Sequence, residues 1–334
     1  MKMTNNKATL KTIADELNIS VSTASRAFTP GSSVKPSTLA KIKEMSRKLN
    51  YKPNLNARAL VQQKTHVIGV ILQSLKNQTT ESLVNKLTRL LTARGYDIHL
   101  FVAYNDDMLN DEAVNSCICR GYDGVIINHA FFEGRMNAIE TLLKENVPMV
   151  VLGQYEYSET SQVIGDFKLA GRVMTRHLAD LGHKNIAFCT TCKGDPRYEG
   201  YLNILNQYKL PIREDLVFVC PCEQSQIRET AKKIIKTDAT ALFVNYDEPA
   251  TRFIRAFKEL GVSVPGQMSV VGVGNEMYAD LISPALTTFE IDTAHLAENL
   301  VETLFERIEK PNGPTRTILL NGKILERDSA KKLL

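Results

Sequence analysis

Six cysteines are the most reactive side chains in this chain of 334 residues, and they fall into three close pairs. The pairs are Cys117 with Cys119, Cys189 with Cys192, and Cys220 with Cys222. Thiolates at such short spacing can bind zinc or form a redox switch. Disulfides are unusual in cytosolic proteins, which favours plain buried or surface thiols. A metal-sensing or redox-sensing role stays open as the alternative.

The motifs that assemble common catalytic centres are missing from the sequence. It has no Gly-x-Ser-x-Gly elbow, no Gly-x-x-x-x-Gly-Lys phosphate loop and no His-Glu-x-x-His zinc motif. His177 and His183 are six residues apart, and we do not expect them to form a paired metal site. We therefore expect a protein that is not an enzyme and that holds no metal or cofactor.

Positive charge is concentrated at the amino terminus. Residues 1–64 hold twelve Lys and Arg against three acidic side chains, a net charge of +9, whereas the remainder of the chain carries −5. A basic unit on a mildly acidic body is typical of a polyanion-binding module joined to a separate domain. The first residues are polar and precede no apolar signal region, and apolar runs such as 147–152 are far shorter than the ~20 residues of a membrane span. We expect a cytoplasmic protein.

The elements of the basic unit are short helices. Leu10, Ile13, Ala14 and Leu17 follow helical spacing, and Thr9 is a suitable N-cap. A tight break follows, after which Ser20 can cap a second helix over 21–28. Pro36 can open a third helix. Two short helices across a tight turn, braced by a third, predict a helix-turn-helix.

From residue 67 onward the pattern alternates between strands and helices. Short β-branched runs predict strands at 67–72, 98–102, 124–127, 149–152, 185–189, 241–244 and 268–273. Amphipathic stretches between them, such as 80–94, 172–181 and 248–260, predict helices. The alternation indicates an α/β fold of two parallel sheets, with a ligand cleft at the carboxyl ends of their strands.

Nine sequence segments stand in a characteristic order along nearly the whole chain: Thr9–Ala14, Ser20–Arg26, Leu49–Asn54, Ala57–Leu60, Val67–Val70, Tyr122–Ile127, His177–His183, Val264–Gly272 and Pro284–Thr288. Together they resemble the LacI/GalR family of bacterial transcription regulators. Each segment alone is weak, but the series at the family's spacing is highly specific.

The resemblance implies a domain organisation. It comprises a helix-turn-helix DNA-binding domain over 1–53, a hinge helix and linker over 54–64, and a core over 65–334 that is similar to a periplasmic binding protein. Within the core, an N-subdomain would cover about 65–165 plus 292–322, and a C-subdomain would cover about 166–291 plus 323–334. The family works as a dimer, and no long heptad extension follows Ser329 to build a tetramer. We expect a homodimer on a two-fold symmetric operator.

The same resemblance assigns DNA contacts by position. Val21, Ser22 and Arg26 match base-reading positions, and an arginine can donate two hydrogen bonds to guanine. Four hydroxyls match phosphate contacts: Thr9, Ser20, Thr23 and Ser25. In the hinge the matching residues are Asn54, Ala57, Arg58 and Leu60. The hinge is too short to be stable alone, and Leu60 would wedge into a minor-groove base step when the hinge folds on DNA.

The core would close around a small-molecule effector. Arg197 matches the arginine that grips effector oxygens, and Gln73, Tyr246 and Asn275 are further lining candidates. The family's aspartate after the late strand is absent, because the chain there reads Gly272-Val273-Gly274-Asn275. We expect the charge of Arg197 to be poorly balanced, which favours an acidic or phosphorylated effector over a neutral hexose.

Two other functions remain as alternatives. The first is a regulator of the same fold that answers to a protein partner or to no ligand, since several cleft positions depart from the family pattern. The second, a small-molecule binding module without a DNA function, would need a secretion signal and no basic headpiece.

Overall fold

A computed structural model describes residues 8–28, 33–52, 59, 63–75, 78–103, 107–129, 137–153, 159–220 and 223–333. The chain divides into two compact units, Met1–Thr65 and His66–Leu334. No helix in the described ranges is long and apolar enough to cross a membrane.

The first unit contains three helices: α1 (Leu10–Glu16), α2 (Val21–Arg26) and α3 (Pro36–Lys48). Thr9 and Ser20 cap α1 and α2, because their hydroxyls accept hydrogen bonds from the backbone N–H groups of Thr12 and Thr23. A small core centres on the buried side chains Ile13, Ala14, Ala24, Ala27 and Ile42.

Helix α2 ends two residues before the predicted Phe28. Ala27 is its C-cap, and the N–H of Phe28 bonds the carbonyl of Ser25 in a tightened last turn. Pro30 disfavours helical backbone in the residue before it, and the chain leaves the helix ahead of that point.

The second unit contains two six-stranded sheets, and each is the centre of one lobe. The first-lobe sheet has the order β11-β5-β4-β3-β1-β2, and the second-lobe sheet has the order β12-β10-β9-β8-β6-β7. The strands of the first lobe are β1 (Val67–Leu72), β2 (Asp97–Val102), β3 (Gly124–His129), β4 (Met149–Gly153), β5 (Gln162–Gly165) and β11 (Thr317–Leu320). Those of the second lobe are β6 (Ile186–Thr190), β7 (Val217–Val219), β8 (Ala241–Val244), β9 (Ser269–Val273), β10 (Thr287–Ile291) and β12 (Gly322–Leu325). The strand pairs are parallel except β10 with β12, which confirms the predicted fold class.

Helices cover both sheets and bury their apolar faces. In the first lobe they are α4 (Gln78–Ala93), α5 (Asp107–Cys119), α6 (Asn137–Lys144) and α11 (Thr293–Glu309). In the second lobe they are α7 (Phe167–Asp180), α8 (Pro196–Gln207), α9 (Gln224–Ile235) and α10 (Asp247–Glu259). Each sheet therefore has apolar clusters packed against its helices, as a doubly wound fold requires.

The chain crosses between the lobes at three places, and each crossing is a single residue. Asp166 separates β5 from α7, Asp292 separates β10 from α11, and Asn321 separates β11 from β12. Asp166 and Asp292 also cap the helices that follow, with side chains that accept backbone N–H groups of the first turn. Each crossing is therefore short, and its position is fixed by the strand or helix on either side.

Candidate nucleic-acid interface and ligand cleft

Helix α2 presents a polar face to solvent. Val21 is 46% exposed, and Ser22, Ser25 and Arg26 are also exposed, whereas Ala24 is fully buried. The helix therefore keeps the three predicted base-reading residues accessible on the surface of the first unit.

Two of the four predicted phosphate-contacting hydroxyls, those of Thr9 and Ser20, also cap helices. Thr9 Oγ1 accepts from the N–H of Thr12 at 3.2 Å. Ser20 Oγ lies 2.9 Å from Ser22 Oγ and 2.8 Å from Thr23 Oγ1. These bonds fix the start of α2, and a bound phosphate would have to share the hydroxyls with them. The hinge residues Asn54, Ala57, Arg58 and Leu60 lie outside the described residues.

Arg197 is buried in the first turn of α8. Its side chain is 0% exposed, and its Nη1 donates to Asp195 Oδ1 at 3.0 Å. The guanidinium carbon contacts two aromatic rings, 4.0 Å from the ring centre of Phe167 and 4.5 Å from that of Tyr246. Both contacts are at cation–π distance, so the two rings stabilise the charge of the buried guanidinium.

Asp195 connects Arg197 to the ends of two neighbouring strands. Its Oδ2 accepts from Thr190 Oγ1 at the end of β6 and from Asn245 Nδ2 directly after β8, both at 2.9 Å. Burial alone would raise the pKa of Asp195, but the charge of Arg197 and the hydrogen bonds from Arg197 and Asn245 hold it below its usual range. The expectation that Arg197 carries an unbalanced charge is therefore wrong, because Asp195 neutralises it inside the protein.

Three buried polar atoms in this network lack a hydrogen-bond partner of ordinary geometry among the described residues. They are Nε and Nη2 of Arg197 and Oδ1 of Asn245. Leaving such atoms unpaired costs free energy, and native proteins rarely do so without water or a ligand to satisfy them. Two donors and one acceptor at this point therefore have hydrogen-bonding capacity that the described residues do not fill.

Gln73 lies at the end of β1 in the first lobe. Its Nε2 donates to the carbonyl of Asn128 at 3.2 Å and lies 3.4 Å from Asn110 Oδ1, which holds the side chain in place. Carboxyl ends of parallel strands form the usual ligand edge of such sheets. Gln73 and Arg197 therefore occupy corresponding edges of the two sheets.

The structure gives Asn275 an internal role. Its Nδ2 donates to Glu290 Oε1 at 2.8 Å, and its Oδ1 accepts from Arg327 Nη2 at 2.7 Å. Both ends of the amide thus bind the protein itself, which removes the reason to count Asn275 among effector contacts.

Two buried carboxylates, Asp247 and Glu276, lie next to the position after β9 where the family pattern has an aspartate. Asp247 is 1% exposed, accepts from Thr288 Oγ1 at 2.6 Å and from the N–H of Glu276 at 2.9 Å. Burial raises its pKa to about 6. The side chain of Glu276 is held by Thr79 Oγ1, which donates to its Oε1 at 3.1 Å.

A cavity of about 1170 Å³ lies between the lobes, beside α4 and a short 3₁₀ helix at Met277–Ala279. Its lining combines both signs of charge with apolar side chains: Ser74, Leu75, Glu81, Ser82, Asn85, Lys86, Arg89, Glu248, Glu276, Met277 and Tyr278. Arg197 is not part of this lining, so the cavity and the Arg197 network are separate features of the core.

The cysteines that the structure describes are free thiols, and Cys222 lies outside the described residues. Burial raises the pKa of Cys117 to about 12. A hydrogen bond from Cys189 lowers the pKa of Cys220 to about 6. Across the described ranges, no group of three or more His, Cys, Asp or Glu side chains is arranged to hold a metal ion.

Sequence reasoning missed Asp195, Asn245 and Phe167 as parts of the Arg197 network. The one available signal was local, since an aspartate directly before Pro196 is a typical N-cap arrangement. Nothing local indicates that Asn245, fifty residues further on, meets the same carboxylate.

Family models match two parts of the chain. Residues 9–54 match "Bacterial regulatory proteins, lacI family", and residues 175–330 match "Periplasmic binding protein-like domain". Two relatives span nearly the whole chain. The "Probable HTH-type transcriptional repressor ExuR" of Bacillus subtilis (strain 168) is 28% identical and aligns over 97% of this chain and 99% of its own length. The "Catabolite control protein A" of Priestia megaterium is 27% identical, again over 97% and 99%.

Solved structures agree on the fold. The lac repressor dimer bound to operator and the anti-inducer ONPF has a TM-score of 0.86 at 23% identity, covering 98% of this chain and all of that one. The complex of the transcriptional regulator CelR with cellobiose has a TM-score of 0.73 at 20% identity, covering 97% and 100%. The resemblance seen in the sequence is thereby confirmed. The chain belongs to the lacI family of bacterial regulatory proteins and is a DNA-binding transcriptional regulator.

Proposed function

We propose that this regulator is a repressor that binds a two-fold symmetric operator as a homodimer and is controlled by a small molecule bound at Arg197. The unpaired donors and acceptor of the Arg197 network carry the effector part of the proposal. The DNA-binding part is supported by relatives that align over more than nine-tenths of the chain and are named HTH-type transcriptional repressors.

On the DNA side, the exposed residues Val21, Ser22 and Arg26 support insertion of α2 into a major groove. Selection of operators from a random duplex pool should return a palindrome. Fluorescence anisotropy should then give specific binding that weakens steeply with salt, because lysines and arginines release counterions from the phosphates. Indifference of the purified chain to every duplex at low ionic strength would contradict the proposal.

The hinge proposal rests on Leu60, which lies outside the described residues. We expect Leu60→Ala to weaken operator binding at least tenfold, because the wedge that stabilises the kinked duplex is lost. The core should remain folded, with an unchanged thermal melting curve. Operator affinity equal to that of wild type would remove Leu60 from the interface.

On the effector side, the Nε–Nη2 edge of Arg197 supports a ligand with a carboxylate, because Asp195 occupies Nη1 and neither Nε nor Nη2 has a partner of ordinary geometry among the described residues. These two N–H groups point in parallel within the guanidinium plane, and a carboxylate offers two oxygens with matching geometry. The unpaired Oδ1 of Asn245 can accept from a hydroxyl, so a sugar acid satisfies all three atoms.

Calorimetric titration with a hexuronic acid, a hexose phosphate and the neutral hexose of the same stereochemistry tests this assignment. We expect binding of an acid and at least tenfold weaker binding of the neutral sugar, because the neutral sugar lacks the planar oxygen pair. Arg197→Lys keeps the charge but removes the two-donor edge, and should abolish the preference. Tighter binding of the neutral hexose would contradict an acidic effector.

The homodimer is supported by an apolar surface on the second unit. Met277, Leu281 and Leu75 are 63%, 74% and 43% exposed. Nearby side chains of the cavity carry both charges, including Lys86 and Glu248, so a second copy related by a two-fold axis can pair with them. Sedimentation of the full chain should give a dimer, and Leu281→Glu should shift it towards monomer. A wild-type monomer at micromolar concentration would contradict this part.

A further inference from the structure

The segment that follows β9 has a fixed and unusual backbone. Gly274 has φ +137° and Asn275 has φ +50°, both in the region that L side chains rarely adopt. The side chain of Asn275 is bound on both sides, to Glu290 and to Arg327. The chain therefore leaves the sheet in one defined direction and carries Glu276 with it.

A second anchor fixes Glu276 itself. Its N–H donates to Oδ2 of the buried Asp247, whose other oxygen accepts from Thr288 Oγ1 on β10. Asp247 thus joins Glu276 to the sheet of the second lobe through two hydrogen bonds. Glu276 is only 9% exposed, so its carboxylate is held within the structure and does not move freely in solvent.

The carboxylate of Glu276 meets the opposite lobe. Thr79, in the first turn of α4, donates from Oγ1 to Glu276 Oε1 at 3.1 Å. Helix α4 packs on the sheet of the first lobe, through buried side chains such as Leu83 and Leu87. The bond thus connects two elements that are each fixed to a different sheet.

We propose that Thr79 and Glu276 form a latch that holds the two lobes together without any effector. Both partners belong to the chain, so the closing contact is present before a ligand arrives. Hydrogen bonds to carboxylates are among the stronger ones in proteins, especially where water is partly excluded. This inference rests on the proposed function. Without effector, the latch sets the arrangement of the two lobes, and binding of an effector then changes that arrangement and the operator affinity with it.

Three substitutions in α4 of the full chain test the latch. Thr79→Val removes the hydroxyl and keeps the shape, and Thr79→Ser keeps the hydroxyl. Thr88→Val is the matched control, because the Thr88 hydroxyl donates to the Val84 carbonyl of its own helix at 2.7 Å. Hydrogen–deuterium exchange without ligand should be at least threefold faster for peptides covering 78–83 and 276–281 in Thr79→Val. Thr79→Ser and Thr88→Val should match wild type.

Exchange at the wild-type rate in Thr79→Val would overturn the latch, as would equal acceleration by Thr88→Val. Small-angle scattering should also give a larger radius of gyration for Thr79→Val than for both other variants. Neither measurement involves DNA or effector, so each decides the latch even if the proposed function fails.

Operator titration without effector tests the regulatory consequence. Thr79→Val should shift the operator dissociation constant at least threefold from wild type, whereas Thr88→Val should leave it within twofold. If Thr79→Val shows faster hydrogen–deuterium exchange but an unchanged operator dissociation constant, the latch does not control operator affinity. Absence of operator binding by the wild-type chain would instead contradict the proposed function itself.

Discussion

Gly200 of α8 lies so close to Gly171 of α7 that a Cβ added to Gly200 would stand 2.9 Å from the Gly171 Cα. The same Cβ would meet the carbonyl oxygen of Lys168 at 2.2 Å, and a Cβ on Gly171 would meet that of Arg197 at 2.2 Å. Two helix backbones are therefore in direct contact. This contact fixes the first turn of α8, and with it Arg197, against α7.

Gly171→Ala should destabilise the core by about 1–3 kcal/mol or more, because backbone atoms of α8 must move to admit the methyl group. Urea unfolding monitored by circular dichroism measures the change. Gly95→Ala is a suitable control, since nothing lies within 4 Å of its added Cβ and only its φ of +78° adds strain, about 1 kcal/mol. Equal losses in both variants would argue against close packing of α7 and α8.

Asp195→Asn should cost about 3–5 kcal/mol of unfolding free energy, because it leaves the fully buried Arg197 guanidinium without its counter-charge. Glu259→Gln provides the contrast. It breaks the exposed pair of Arg255 and Glu259, and such surface pairs contribute about 0–1 kcal/mol. Similar small losses for both variants would mean that Arg197 does not depend on Asp195. Chemical denaturation at pH 7 distinguishes the two outcomes.

Arg26→Ala should weaken binding to the selected operator by about 1–3 kcal/mol and relax the preference at one base pair. The reason is the loss of paired hydrogen bonds to a base edge. Anisotropy titrations with the selected operator and a scrambled duplex provide the test. Arg255→Ala, at an exposed position of α10 in the second unit, serves as control. An equal loss on both duplexes would assign Arg26 to phosphate contact.

Acid should reduce stability through His183. The ring is 3% exposed, with Nε2 3.1 Å from the Lys331 carbonyl and Nδ1 2.8 Å from Thr240 Oγ1. Burial lowers the pKa of His183 below its ordinary 6.5, so the unfolded chain takes up the proton first. The stabilisation is therefore present above about pH 6.5 and is lost as pH falls through the lowered pKa of the folded state.

Unfolding free energies of wild type and His183→Gln, measured between pH 5 and pH 8, isolate this effect. The advantage of wild type should shrink towards pH 5, because glutamine cannot take up a proton there. A constant difference across the range would show that His183 does not titrate between the folded and unfolded states.

Local sequence signals predicted the elements that depend on local physics. Thr9, Ser20 and Pro36 marked helix starts correctly, because caps satisfy N–H groups within one turn. Strand β1 was predicted with its exact bounds, since it is a continuous apolar run buried between β3 and β2. Strands β5, β7, β10, β11 and β12 were missed. They are only three to five residues long, so each offers too short an apolar run to stand out along the chain.

The chemistry of the cleft was less predictable. Arg197 was identified from the resemblance, but its charge balance depends on Asp195, Thr190 and Asn245 meeting at the ends of separate strands. Those contacts are set by sheet order, which no spacing along the chain encodes. Asn275 shows the converse case, because a residue that suits a ligand by type is occupied by Glu290 and Arg327.

The single-residue crossings affect how the protein can be made. The first-lobe sheet receives its edge strand β11 only from Thr317–Leu320, after nearly all of the second lobe has been synthesised. During translation the sheet of the first lobe therefore lacks β11, and the edge of β5 stays unpaired until the last part of the chain leaves the ribosome. A premature stop before residue 317 would leave both sheets short of a strand, so late truncations should abolish the entire core and not one half of it.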